Sequence, residues 1–199
     1  EIQTGDKVIV ETARGVEFGS VVTGPKDVDD ERITPPLKPV IRVATEEDIK
    51  KEAKNKEKEK EAFMDRYLDG DGRCVIDQQS SLAMILMTGL YRDREVIKKQ
   101  LVAAVERDEL RLTSGMVGVQ YLYHALSECG RADLAFRMIT ETEPGYRTWY
   151  NHGATTLWER WEGENDGSHN HHMFAGGISW FYRSLLGIAP SENAPGFTR

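Results

Sequence analysis

Gly153-Ala-Thr-Thr-Leu-Trp-Glu-Arg-Trp161 is followed, six residues on, by Ser168-His-Asn-His-His-Met-Phe-Ala-Gly176. Together they set one carboxylate among indole rings, with imidazoles a short way downstream. Sugar cleavage asks for such a set. A carboxylate activates water or attacks the anomeric carbon, and neighbouring groups hold the ring and its hydroxyls. Trp158 and Trp161 are three apart, so on a helix they share a face and offer an apolar floor for a pyranose, with Glu159 between them.

The same residues admit plainer readings. Thr156 to Glu159 fits the Ser/Thr-x-x-Glu capping box, in which Glu159 merely satisfies a helix start. The two tryptophans fit a core as well as a platform. His169, His171 and His172 invite a metal reading, but a spacing of two and one in a Gly-Ser loop lacks the further ligand and the supporting partners of a zinc site. No metal and no cofactor is expected. Asp69-Gly-Asp71-Gly72 is similar to a calcium loop, yet it lacks the later acidic ligand and reads as a turn.

Outward from this stretch the chain reads as helices in pairs. Leu82 to Leu90, Val96 to Val105, Val117 to Leu126 and Leu134 to Ile139 carry apolar residues at helical spacing, as in Ile97, Leu101 and Val105. Gly70 and Gly72, Thr88-Gly89, Ser114-Gly115, Gly130 and Pro144-Gly145 fall at intervals suited to antiparallel helical hairpins. Asp133 and Ser168 suit capping or first-turn positions. A last helix is expected from about His172 to Leu186, ending at Gly187 before Pro190.

The first sixty residues follow another design. Val8-Ile-Val10 and Val16 to Val22 are β-branched runs around Ala13-Arg-Gly15, which reads as a hairpin with Gly15 at positive φ. Lys38 to Val43, after Pro35-Pro36, reads as a third strand. Thr45 offers an N-cap with Asp48 three residues on, and Glu46, Glu47 and Asp48 suit the positive end of a helix. That helix, Lys50 to Phe63, is nearly all charged, as a solvated face is.

A chain of 199 residues can hold one ample core or two small domains. The formal net charge of -7 argues against nonspecific nucleic-acid binding, which calls for a basic surface. No apolar run reaches the length of a membrane span, and no signal peptide is evident at the N-terminus. Cys74 and Cys129 are far apart and read as thiols in a reducing compartment.

The Gly153–Trp161 run and the Asn170-His171 pair resemble the C-terminal half of the catalytic barrel of bacterial α-L-rhamnosidases. The resemblance runs from about 63 to 189, through Asp65-Arg-Tyr-Leu-Asp69, Asp77-Gln-Gln79, Thr113-Ser-Gly115 and Gln120-Tyr-Leu-Tyr-His-Ala-Leu-Ser-Glu128. It implies a mainly α fold, part of an (α/α)6 six-hairpin barrel, and inverting hydrolysis of a terminal α-L-rhamnosyl residue in a rhamnose-containing carbohydrate. Glu159 would be the general base, and Trp158, Trp161, Asn170 and His171 the substrate contacts. His172 stands where the family usually places an aromatic. The general acid belongs to the barrel's N-terminal half, which no part of this chain matches. Glu162, Glu164 and Asp166 read as loop solvation or caps, so weak or absent turnover is expected.

Gly5-Asp-Lys-Val-Ile-Val-Glu-Thr-Ala-Arg-Gly-Val-Glu-Phe-Gly19, Leu37 to Asp48 and Asn55 to Phe63 resemble the start of the YaaT-type bacterial regulatory domain. That resemblance implies a cytoplasmic location and a protein partner for the N-terminal region, while the charge and the lack of a long apolar run set the expectation of no nucleic acid and no membrane. The expected organisation is a β-rich segment at 1–44, a charged helix at 45–62, an α-hairpin glycosidase-like region at 63–189 and a tail at 190–199. Three readings stand: a glycosidase or a piece of one, a regulatory interaction module, and a non-catalytic junction of two gene fragments.

Overall fold

The computed structural model describes residues 2–26, 38–163 and 167–188. Pro35-Pro36, Glu164, Asp166 and the tail from Pro190 lie outside the described residues. The chain packs as two units, 1–62 and 63–199.

In the first unit, β1 (Lys7–Thr12), β2 (Gly15–Ser20) and β3 (Val40–Val43) make an antiparallel sheet in the order β2-β1-β3. Gly15 takes a φ of 126°, so the tight turn after Thr12 is available to glycine at little cost. Ile9 stands opposite Phe18 on one side and Arg42 on the other, with a register shift after Ile9 where β1 meets β3. Helix α1 (Glu46–Tyr67) opens with a reciprocal cap. The Asp48 amide donates to Thr45 Oγ1 at 3.3 Å and the Thr45 amide donates to Asp48 Oδ2 at 2.8 Å. The Arg42 guanidinium also pairs with Asp48, and with the Thr45 bonds it holds that carboxyl well below the usual carboxylate range.

The second unit begins in the last turn of α1, at Phe63. It continues through α2 (Gln79–Thr88), α3 (Arg94–Arg107), α4 (Met116–Glu128), α5 (Ala132–Thr140) and the short α6 (Tyr146–Asn151). The helical spacing read from Ile97, Leu101 and Val105 is a buried face of α3, and α2 and α4 bury Leu82, Leu86, Val119, Leu122 and Leu126. Gly89 and Gly130 end α2 and α4 in left-handed conformation. α4 is the central element, packing on α2, α3, α5 and the C-terminal helix. Its approach to α2 is set by Gly118, where a Cβ would stand 2.4 Å from Ser80 Oγ.

The motifs singled out upstream of the site hold this frame. Asp65 pairs with Arg92 at 2.5 Å, and Asp69 Oδ1 accepts from the amides of Asp71 and Arg73, closing the expected turn. Asp77 pairs with Arg107 at 2.5 Å and also accepts from Gln100. The buried Gln79 donates to Asp108 and to the Arg111 carbonyl, and Ser80 donates to Ser114 at 3.0 Å. Buried polar groups in such loops must find partners, and these positions supply them.

The single helix expected over His172–Leu186 is instead three pieces. A 3-10 turn at His172–Phe174 leads into α7 (Gly176–Trp180), which continues as a π-helical turn at Phe181–Leu185. The break falls where the backbone presses on α4: a Cβ on Gly176 would stand 2.9 Å from the Val119 carbonyl oxygen. Helix α6 was not anticipated, although Tyr146, Trp149 and Tyr150 carry aromatic residues at helical spacing.

Candidate active site

Residues 155–163 are not helical, which removes both the capping box and the shared tryptophan face expected of them. The segment lies instead against 168–171 in a ladder of main-chain bonds. Glu159 N donates to the Ser168 carbonyl at 2.9 Å, and His171 N donates to the Leu157 carbonyl at 2.7 Å. Thr156 Oγ1 donates to the His169 carbonyl. Ser168 therefore caps no helix, and its hydroxyl accepts from the Asn170 amide.

The two tryptophans part company across this ladder. Trp161 turns into the core at 7% exposure, stacked on Trp149 with ring centres 4.7 Å apart and 14° between planes. Its Nε1 donates to the Ser114 carbonyl at 2.8 Å, while Trp149 Nε1 donates to the Arg160 carbonyl at 2.6 Å. Trp158, half-buried, stacks on His169 at 4.2 Å with 8° between planes. The joint floor expected of Trp158 and Trp161 is not formed, and the flat aromatic pair is instead the half-buried Trp158 with the exposed His169.

Glu159 is exposed and oriented by its neighbours. Its Oε2 accepts from the Ser168 amide at 2.8 Å, and no described residue bonds Oε1. Gly167 lies so close that a Cβ there would meet Glu159 Cβ at 3.1 Å and Oε2 at 3.3 Å. One carboxylate oxygen is thus fixed by main chain and the other left for a water, an arrangement suited to a general base.

Asn170 is exposed, and His171 is half-buried beside Phe174 with ring centres 5.7 Å apart. His171 Nε2 is withdrawn from water and has no hydrogen-bond partner among the described residues. An unmet buried polar atom costs about 1–3 kcal/mol, so this imidazole gains when a hydroxyl reaches it. The turn it opens is held from beneath, since the Tyr146 hydroxyl donates to the Phe174 carbonyl. Burial pushes that phenol up to about 12, so it stays a donor at all ordinary pH. The structure brings Glu159, Trp158, Asn170 and His171 onto paired segments and sends Trp161 to their support. Sequence reasoning passed over Ser168 and Gly167 as orienting groups and Tyr146 and Trp149 as the base of the site. Aromatic spacing in 146–150 was the one available signal for the latter pair.

Among the described residues, no group of three or more His, Cys, Asp or Glu side chains is arranged to hold a metal ion. None of the described helices is long and apolar enough to cross a membrane.

The family model for the bacterial α-L-rhamnosidase six-hairpin glycosidase domain matches residues 41–185. It starts earlier than the expected residue 63 and takes in nearly all of β3 and the whole of α1. An α-L-rhamnosidase of Streptomyces avermitilis is 32% identical over 145 residues, 67% of this chain and 14% of that protein. The crystal structure of the Streptomyces avermitilis α-L-rhamnosidase complexed with L-rhamnose superposes with a TM-score of 0.62 at 30% identity, covering 67% of this chain and 14% of that one. The stage 0 sporulation protein YaaT of Bacillus subtilis is 31% identical over 150 residues, 69% of this chain and 53% of that protein. The chain thus spans a small part of the rhamnosidases it matches.

Proposed function

As the chain belongs to the bacterial α-L-rhamnosidase six-hairpin glycosidase family, we propose that its 153–176 segment is the base-bearing part of a site for inverting hydrolysis of a terminal α-L-rhamnosyl residue. Glu159 draws a proton from the attacking water through Oε1, while the Ser168 amide and the adjacent Gly167 backbone keep the carboxylate in place. Asn170 and His171 bind sugar hydroxyls, and Trp158 on its His169 partner offers the ring an apolar face. The observation that carries this reading is the half-engaged Glu159 carboxylate on the same paired segments as an imidazole with an unfilled nitrogen.

Inversion also requires a protonated carboxyl about 6.5–9.5 Å across the sugar from the base. The resemblance assigns that acid to the barrel's N-terminal half, so in this reading the 199 residues alone are expected to bind rhamnose with little or no turnover. Isothermal titration with L-rhamnose tests the binding half. Saturable heat that disappears in His171→Ala supports the reading, and no heat at millimolar sugar refutes it. Release from p-nitrophenyl α-L-rhamnoside that is abolished by Glu159→Gln would instead show a working acid within these residues.

The similarity to YaaT covers 69% of the chain and so reaches beyond the first unit, and with the motifs at 5–63 it supports a second role, as a module that binds a protein partner in the cytoplasm. The exposed, charged α1 is its docking face in this reading, and reversing the charges between Lys50 and Lys60 is expected to weaken capture of that partner.

A further inference from the structure

A second cleft of about 540 Å³ opens between α2, α4 and the C-terminal helix. Gln120, Tyr121 and His124 line it from α4, Met87 from α2, and His172, Met173, Ser179 and Arg183 from the C-terminal segment. None of its lining residues is acidic. Arg183 is exposed and makes no ion pair with a described residue. His124 is held between two hydroxyls, with Nε2 3.0 Å from Ser179 Oγ and Nδ1 3.2 Å from Ser184 Oγ. Burial, and then the charge of Arg183, push its imidazole below the usual range, so the guanidinium is the standing charge of the cleft. The π-helical turn at Phe181–Leu185 carries Arg183 and Ser184, and such turns recur at functional sites.

We propose that this cleft is a subsite for a carboxylate-bearing sugar ring, with Arg183 reading the carboxylate. A guanidinium suits a carboxylate because its planar fork can donate two parallel bonds. Tyr121, Met87 and Met173 give the ring an apolar wall, and Gln120 and Ser179 give its hydroxyls donors and acceptors. The cleft adjoins the turn that starts at His171, because His172 and Met173 line it. The adjacency to a rhamnosyl site rests on the function proposed above. Under that function, the preferred substrate is a rhamnosyl unit linked to an acidic sugar.

The test is a titration of the 199-residue chain, followed by amide NMR, with methyl β-D-glucuronide, methyl β-D-glucoside and sodium sulfate in separate arms. The glucuronide is expected to shift signals of Gly176, Ser179 and Arg183 and to bind roughly tenfold more tightly than the glucoside, the worth of one hydrogen-bonded charge. Arg183→Gln should cost that factor and Arg183→Lys should restore part of it, with thermal unfolding unchanged because the side chain is exposed. Equal binding of glucoside, unchanged binding in Arg183→Gln, or no shift with the glucuronide would overturn the proposal. Sulfate binding as tight as the glucuronide would also overturn it, reducing the cleft to a bare anion site. His171→Ala separates the two sites: it should remove L-rhamnose binding and leave glucuronide binding intact. Glucuronide binding without any rhamnose binding defeats the function proposed above while leaving this cleft standing, and the reverse result defeats only the cleft.

Discussion

The helices α2 to α5 and the ladder formed by 155–160 with 168–171 lie in one unit, but they are specified in different ways. The helices bury residues that repeat along their own sequence, such as Ile97, Leu101 and Val105, and local spacing suffices to place them. The ladder is specified by partners far along the chain. Trp161 is anchored on Ser114, forty-seven residues away, and Trp149 reaches across to the carbonyl of Arg160. The lesson is that each helix of the frame is placed by its own spacing, with polar pairs such as Gln79–Asp108 then tying helices together, whereas the ladder takes its course only from contacts with other segments.

The sharpest way to break that contrast is to exchange the two tryptophans for alanine. Trp161→Ala removes a buried indole, its stacking on Trp149 and its bond to Ser114, and is expected to destabilise the second unit by about 3–5 kcal/mol. Trp158→Ala, at a half-buried surface pair, should cost under about 1 kcal/mol and show its effect in rhamnose binding. Urea unfolding followed by circular dichroism measures both. Equal losses of stability would mean that Trp158 also belongs to the core.

A second exchange probes the helical frame. Gly118→Ala puts a methyl against Ser80, where α2 and α4 nearly touch, and overpacking of this kind costs about 1–3 kcal/mol. The same substitution at Gly167 meets Glu159 at 3.1–3.3 Å, and that exposed side chain can give way. Its expected result is a folded protein of near-normal stability in which the signals of Glu159 and Ser168 move in an NMR spectrum. If Gly167→Ala leaves those signals in place, the glycine does not position the carboxylate.

The difference also explains which parts could be read from residue order. Thr45 and Asp48 form the expected cap because both partners lie within one turn. Thr156 and Glu159 have the same spacing and a compatible chemistry, but form none. The Glu159 amide is taken by the Ser168 carbonyl, and Thr156 donates to the His169 carbonyl, so the helix-start geometry is lost to a competing strand-like pairing. Glu159, Asn170 and His171 were named through the resemblance to a family, and the structure sets them on the paired segments. Trp161 was misread as a sugar platform because nothing adjacent in sequence reveals its stack on Trp149. Ser168 was misplaced as a cap for the same reason.

The smallest expected effect compares the realised cap with the unrealised one. Thr45→Ala should destabilise the start of α1 by about 1 kcal/mol, whereas Thr156→Ala removes no helix cap. The first of these is coupled to pH through Asp48. Its carboxyl is held below its ordinary value by Arg42 and then by Thr45, so the folded form binds the proton less readily than the unfolded chain. The stabilisation is therefore fully present above the ordinary carboxylate range and is lost as pH falls through that range and toward the lower folded value. Helicity of α1 followed by hydrogen exchange should decline on acidification in the native protein, and Asp48→Asn should remove this part of the pH dependence. An unaltered acid profile in Asp48→Asn would place the pH sensitivity of the first unit elsewhere, and the cap would then act through geometry alone.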